Sequence, residues 1–146
     1  YIRVHGDYHL GQILITPENR RIEVIDFEGE PQKALTERRR RTSVCKDLAG
    51  MSRSFDYLCF QAHRTGTAQY SATELVRTFL EAYEIESVGA CFYSDNEKDR
   101  MALFNAFMLD KAIYELGYEI HYRPDWIDVP LRALETYLDT GSLLHT

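Results

Sequence analysis

The sequence changes its periodicity once, and that change constrains the fold more than any other feature. Up to residue 30, short β-branched runs alternate with turn signals: Ile2 to Val4, then Gln12 to Thr16, a Pro17-Glu18-Asn19 turn, and Ile22 to Ile25. This is the pattern of strand, loop and hairpin. From Val44 onward Leu48, Met51, Phe55 and Leu58 recur at the three- and four-residue steps of one helical face. Thr42 or Ser43 is the expected cap. Two later helices are announced by capping boxes, Ser71-x-x-Glu74 ahead of Leu75, Val76, Phe79 and Leu80, and Ser94-x-x-Glu97 ahead of Met101, Phe104 and Met108. Pro124 must end the second of these before Arg123, and Pro130 with Leu131, Leu134 and Leu138 predicts a short final helix. A small hairpin sheet feeding a helical bundle is an α+β unit. At 146 residues and 45% hydrophobic content the chain fits one domain with its own core.

Charge and cysteine usage exclude several classes. With 17 Lys and Arg against 23 Asp and Glu the formal charge is -6, the wrong sign for a nucleic-acid or anionic-membrane partner. The three cysteines, Cys45, Cys59 and Cys91, form an odd set without metal-type spacing and read as reduced thiols of a cytoplasmic protein. No run approaches the ~18 apolar residues of a membrane span, and no basic-then-apolar leader opens the sequence. It begins within a strand-like stretch, Tyr1-Ile2-Arg3-Val4, without an initiator methionine or a cap, as a piece of a longer protein would.

The densest polar cluster is His5-Gly6-Asp7-Tyr8-His9-Leu10-Gly11-Gln12, a loop between two apolar strands. Asp26 follows fourteen residues after Gln12, within Ile25-Asp26-Phe27-Glu28-Gly29-Glu30 at the end of the hairpin, so the two acidic clusters are expected side by side. Phosphoryl transfer needs a carboxylate that orients the attacking hydroxyl and oxygen ligands that hold Mg across nucleotide phosphates. Asp26, Glu28 and the amide oxygen of Gln12 are a chemically sensible ligand group for that hard cation, which leaves Asp7 as the base. His5 and His9 also admit zinc, but a spacing of four serves zinc on a helix, and Gly6 argues for a loop.

The string HGDYHLGQ, followed by VIDFEGEP and then by ERRRR with DLAGMSRSFDY, resembles the C-terminal lobe of the bacterial maltokinases over nearly the whole chain. These are relatives of the aminoglycoside and choline kinases with a protein-kinase-like fold. Where most of that superfamily carries Asn, this chain has Gln12, as the maltokinases do. The resemblance implies that Asp7 is the catalytic aspartate and Asp26 the metal-binding aspartate of the DFG-like position. Gln12 and Glu28 become auxiliary ligands, with Gln12 and Asp26 facing ATP. Asp47, at the start of a helix, is implied to brace the catalytic loop, and His5 is placed with it as structural support. Arg38 to Arg41 lie near where phosphates would arrive, or else form a solvated basic run. Neither a Gly-rich phosphate loop nor an early-strand lysine is present, so an N-terminal nucleotide lobe outside these residues is implied. A fused trehalose synthase is one implied parent, and the chain alone is expected to be inactive.

The acceptor is read from residues 110–126. Lys111, Tyr114, Glu115 and Tyr118 fall at i, i+3, i+4 and i+7 and so share one helical face, opposite much of the Met101, Phe104 and Met108 stripe. Phenols, an amine and a carboxylate suit a neutral sugar, with Asp7 and His9 at the reacting end. The maltokinase resemblance extends to Asp110-Lys111-Ala112-Ile113-Tyr114-Glu115 and Arg123-Pro124-Asp125-Trp126, and it implies maltose, phosphorylated at its anomeric hydroxyl, as the expected acceptor. Five acidic residues against Lys111 and Arg123 over 110–128 would also welcome a cationic aminoglycoside or amino alcohol; an ammonium at Lys111 argues against it. A non-catalytic kinase-like module and a Mg-dependent hydrolase are the readings from other classes.

Overall fold

In the computed structural model, which describes every residue except 19–20, 32, 93–95 and 143–146, the protein is mostly helical with one small antiparallel sheet. Strands β1 (Ile13–Thr16) and β2 (Arg21–Val24) pair with Ile13 opposite Val24 and Thr16 opposite Arg21. Then come a short helix α1 (Leu35–Arg38), three long helices α2 (Cys45–Thr65), α3 (Ala72–Glu86) and α4 (Glu97–Tyr122), and α5 (Asp128–Thr140). Among the described residues no helix is long and apolar enough to cross a membrane.

The opening segment does not form the expected strand. It makes a single bridge, Ile2 with Thr42, closed by two backbone hydrogen bonds of 2.9 Å. With one bridging neighbour, its β-branched residues have no sheet to join.

The N-cap of α2 is Val44, without a side-chain cap bond, instead of Thr42 or Ser43; Ser43, one residue earlier, still accepts from the Cys45 amide at 3.2 Å, and Gly66 ends the helix in the left-handed region at φ 70°. The Ser71–Glu74 capping box is formed in both directions. The other box differs: α4 begins at Glu97 with Asn96 as its cap, Asn96 Oδ1 accepting from Lys98 and Asp99, while Ser94 lies outside the described residues. Asn96 is closer to the first helical amides, so it takes the cap position. As expected, α4 stops at Tyr122, just before Pro124.

The core is where α2 crosses α4. Val44, Cys45, Leu48 and Ala49 meet Phe104 and Met108, with Phe79, Leu80 and Tyr83 of α3 and Ala133 and Tyr137 of α5 packed around them. Burying a side chain such as Phe104 or Met108 contributes ~1.5–3 kcal/mol. Leu58 does not join, being 48% exposed, because the buried face of α2 turns toward Ser52, Arg53 and Cys59. The buried stripe of α4 runs Phe104, Met108, Ala112, Glu115 and Glu119, so its lower half is acidic where the pattern led one to expect an apolar face opposite Glu115.

Candidate active site

Two glycines bring the loops together. Gly6 (φ 89°) and Gly29 (φ 76°) both adopt left-handed backbone, and a Cβ on Gly6 would lie 3.3 Å from the Gly29 Cα. Loop 5–12 is therefore pressed against loop 25–30 as only glycines permit. A third glycine supports the first loop from below. Gly50 lies inside α2, where glycine costs ~1 kcal/mol relative to alanine. A Cβ there would stand 2.6 Å from the Tyr8 carbonyl oxygen, so its absence lets the helix come up under the loop.

The start of α2 holds the loop by its backbone. Asp47 accepts from the His5 amide (2.7 Å, Oδ2) and the Gly6 amide (2.8 Å, Oδ1). Burial pushes its carboxyl up, against those two bonds and the nearby His5 and Lys46. His5 ties the loops to each other: its Nε2 bonds the Ile25 carbonyl at 2.7 Å and its Nδ1 accepts from the Asp7 amide at 3.3 Å. With both ring nitrogens so engaged, His5 is a brace.

Asp7 faces α4. Lys111 Nζ donates to Asp7 Oδ1 at 3.2 Å and to Glu30 Oε1 at 3.1 Å, and Glu30, only 4% exposed, also pairs with Lys33 (2.6 Å) and Lys46 (3.7 Å). Burial works against the Glu30 charge, but the surrounding lysines overcome it and hold the carboxyl below its ordinary value. Burial likewise opposes the Lys111 charge, and Asp7 and Glu30 together raise it. Asp7 is thus a carboxylate fixed from one side by an ammonium, with its Oδ2 4.0 Å from His9 Nε2. His9 Nδ1 accepts from the Gly11 amide at 3.0 Å, which places the proton on Nε2, toward Asp7. Burial holds the imidazole below its ordinary value, with Asp7 opposing, so the ring there is neutral.

Across the loop, Gln12 Nε2 donates to Asp26 Oδ2 at 3.2 Å, which puts two of the three candidate metal ligands side by side. Asp26 adopts left-handed backbone at φ 61°, a conformation worth ~1–3 kcal/mol of strain for a residue with a Cβ. Strain of this kind accumulates where a side chain must be aimed. Two exposed oxygen donors, an amide and a carboxylate, fit a cation that completes its shell with phosphate oxygens and water. Glu28 is exposed in the same loop, and among the described residues no three His, Cys, Asp or Glu side chains converge as a ligand cluster.

The expected acceptor face divides. Lys111 and Tyr114 stay together, the ammonium 5.1 Å from the ring centroid, and Tyr118 lies further along beneath Arg123 at 5.2 Å. Glu115 turns away from all three. It is buried against α2, where Arg53 Nε and NH2 donate to its Oε2 at 2.9 and 2.7 Å and Arg53 also contacts Asp56. The helical step explains this: position 115 follows Met108 and Ala112 onto the packed side. Burial drives the Glu115 carboxyl up and its bonds from Arg53 pull it down. We take the pair as charged, because guanidinium does not give up its proton and Glu115 is its buried counter-charge, Asp56 being partly exposed.

Glu30 and Gly50 are the residues that sequence reasoning passed over. Lys33, three residues beyond Glu30, is the one local signal; the other two lysines are distant in sequence.

No protein-family model matches the chain. It is 30% identical over 143 residues to the glucosamine kinase of Streptacidiphilus jiangxiensis, covering 94% of this chain and 32% of that protein. It is also 30% identical over 145 residues to the glucosamine kinase of Mycolicibacterium smegmatis (strain ATCC 700084 / mc(2)155), covering 94% and 35%. The chain spans about a third of the length of these curated relatives. Among solved structures, a glucosamine kinase in complex with glucosamine, ADP and inorganic phosphate superimposes with a TM-score of 0.77 at 28% identity, over 95% of this chain and 35% of that one. Crystal form B of glucosamine kinase gives 0.75. Over nearly its whole length the chain has the fold of the matched third of that enzyme.

Proposed function

We propose that this chain is the catalytic-loop lobe of a kinase that transfers a phosphoryl group from ATP to a sugar hydroxyl, with Asp7 as the base. The observation that carries the reading is the pairing of loops at Gly6 and Gly29. It sets an ammonium-held carboxylate beside a strained aspartate and its amide neighbour, in a chain similar to glucosamine kinases. Asp7 accepts the proton of the attacking hydroxyl as the new O–P bond forms and the bond from the γ-phosphorus to the ADP leaving group breaks, while Lys111 fixes its orientation. Held by Asp26 and Gln12, with Glu28 at the loop's edge, Mg2+ would neutralise charge on the nucleotide phosphates. The groups that grip the triphosphate belong, in this reading, to a nucleotide lobe outside the 146 residues, and the isolated chain is inactive.

For the acceptor we infer an amino sugar, glucosamine, in preference to maltose. The ammonium of Lys111, which on sequence grounds argued against a cationic acceptor, is matched by Asp7 and Glu30 and repels little. Maltose remains the second reading, favoured by the phenols of Tyr114 and Tyr118, and a trehalose synthase partner stands or falls with it. The test measures ADP release by the full-length enzyme with glucosamine and with maltose. Glucosamine should give the higher kcat/KM, and Lys111→Ala and Tyr114→Ala should raise the acceptor KM with little change in that for ATP. A preference for maltose would reverse the acceptor assignment, and ADP release without phosphorylated sugar would remove the kinase assignment.

A further inference from the structure

Beside the Asp7 pocket a second cleft of about 270 Å3 carries five basic side chains, Lys33, Arg38, Arg40, Arg41 and Lys46, against two carboxylates, Glu37 and Asp110, with Lys33 and Lys46 also paired to the buried Glu30. The charge of the whole chain is -6, so this concentration of cations goes against the average surface. Long-range attraction between such groups and an anion is screened over ~8–10 Å in salt, so what matters is that they line one cavity.

The cleft is held in shape by backbone. Arg39 and Arg40 amides bond the carbonyls of Leu35 and Glu37 at 3.2 and 3.1 Å, and the Ile2–Thr42 bridge fixes the end of the arginine run. Arg38 is anchored by Nε to the Lys33 carbonyl at 2.9 Å, its stem packed on Gly29. Arg40 and Arg41, by contrast, have no ion-pair partner among the described residues. Two guanidinium groups that line one cleft without an ion-pair partner suit a phosphoryl group, which each can grip in a forked pair of hydrogen bonds. The cavity is just under the ~300–1,000 Å3 of drug-sized pockets, room for a phosphate with a small organic group. It shares Gly6, Lys46, Phe107 and Asp110 with the pocket that contains Asp7, so the two lie side by side.

We propose that this cleft is a binding site for the phosphate group of a phosphorylated small molecule, gripped by Arg40 and Arg41 and separate from the nucleotide. The site goes beyond the kinase reading and does not depend on it. Calorimetric titration of the full-length protein, with ADP and Mg2+ present to fill any nucleotide site, uses inorganic phosphate and glucose 6-phosphate as probes. Arg40→Ala/Arg41→Ala should weaken binding at least tenfold with an unchanged melting temperature, and Arg77→Ala on α3 should leave it unchanged. Tighter binding of the ester identifies a sugar phosphate as the ligand; equal binding shows that the phosphoryl group alone is read. The proposal is overturned if wild type binds neither probe, if the double variant binds as wild type does, or if Arg77→Ala weakens binding as much. A protein without transferase activity that still shows the loss keeps the cleft and rejects the kinase; an active kinase without it does the reverse.

Discussion

Lys111 and Glu115 stand one turn apart on α4, and each joins a cluster of charges built on different rules. Around Lys111 the side chains are partly open, 21% exposed for the lysine and 19% for Asp7, and they link three separate loops and helices. Around Glu115 the partner Arg53 is 1% exposed, and one step further Glu119, also 1% exposed, takes hydrogen bonds from the Tyr57 hydroxyl (2.9 Å) and Arg123 (2.6 Å). Burial, reinforced by Glu115 and Glu119, pushes the Tyr57 hydroxyl far up, so it stays a donor. The second cluster is closed at its centre, where Arg53, Glu115 and Glu119 are buried with Asp56 and Arg123 at the edge: its charges satisfy one another and fix α2 against α4. Among the described residues the first leaves Asp7 Oδ2 with an imidazole 4.0 Å away, and the proposed base role requires such an open oxygen.

The largest effect should come from opening the contrast at its catalytic end. Asp7→Asn keeps the volume and removes the proposed base, so phosphoryl transfer by the full-length enzyme should fall ~10²–10⁴-fold while the melting temperature holds. Retention of more than about a tenth of the turnover would move the base elsewhere. Next, Glu115→Ala removes the buried partner of Arg53 in the helix interface, leaving it only the partly exposed Asp56, and should cost up to ~3–5 kcal/mol in denaturant unfolding. Joint replacement, Arg53→Met with Glu115→Leu, should recover most of that loss. A stable Glu115→Ala with a raised acceptor KM would return Glu115 to the acceptor face and break the comparison.

A smaller difference separates the two candidate ligands that touch. Asp26→Ala should shift the Mg2+ dependence of nucleotide binding far more than Gln12→Ala, since a carboxylate brings charge and an amide only a dipole. Equal shifts in the titration would defeat that ranking. The mildest effect is in pH. The Lys111 value is raised in the folded state, so its contribution is fully present below the ordinary lysine value of ~10.4 and is lost as pH rises through the folded one. The melting-temperature gap between wild type and Lys111→Met should therefore be constant in neutral solution and narrow above that value. A gap that stays constant at high pH would mean that the lysine stem, rather than its charge, does the holding.

Much of the architecture was written in local chemistry. The hairpin and the helix ends at Ser71 and Pro124 follow from residues that act within a few positions of themselves; the adjacency of the two acidic loops follows from the hairpin together with the contact of Gly6 and Gly29. Sequence spacing also placed Asp47 at the start of a helix, although only its 2.7 and 2.8 Å bonds show which backbone it holds. Which side of α4 each residue presents was a tertiary decision. Lys111, Tyr114, Glu115 and Tyr118 satisfy one helical spacing, yet the buried arc of α4 passes between them because Arg53 on α2 offers Glu115 a partner and excludes water. The same holds for Gly50, whose missing Cβ has meaning only once the Tyr8 carbonyl is above it, and for Glu30, whose three lysines come from three parts of the chain. Periodicity and capping are short-range forces that a sequence displays; the pairing of buried charges depends on contacts between distant segments, and only the packed chain decides it.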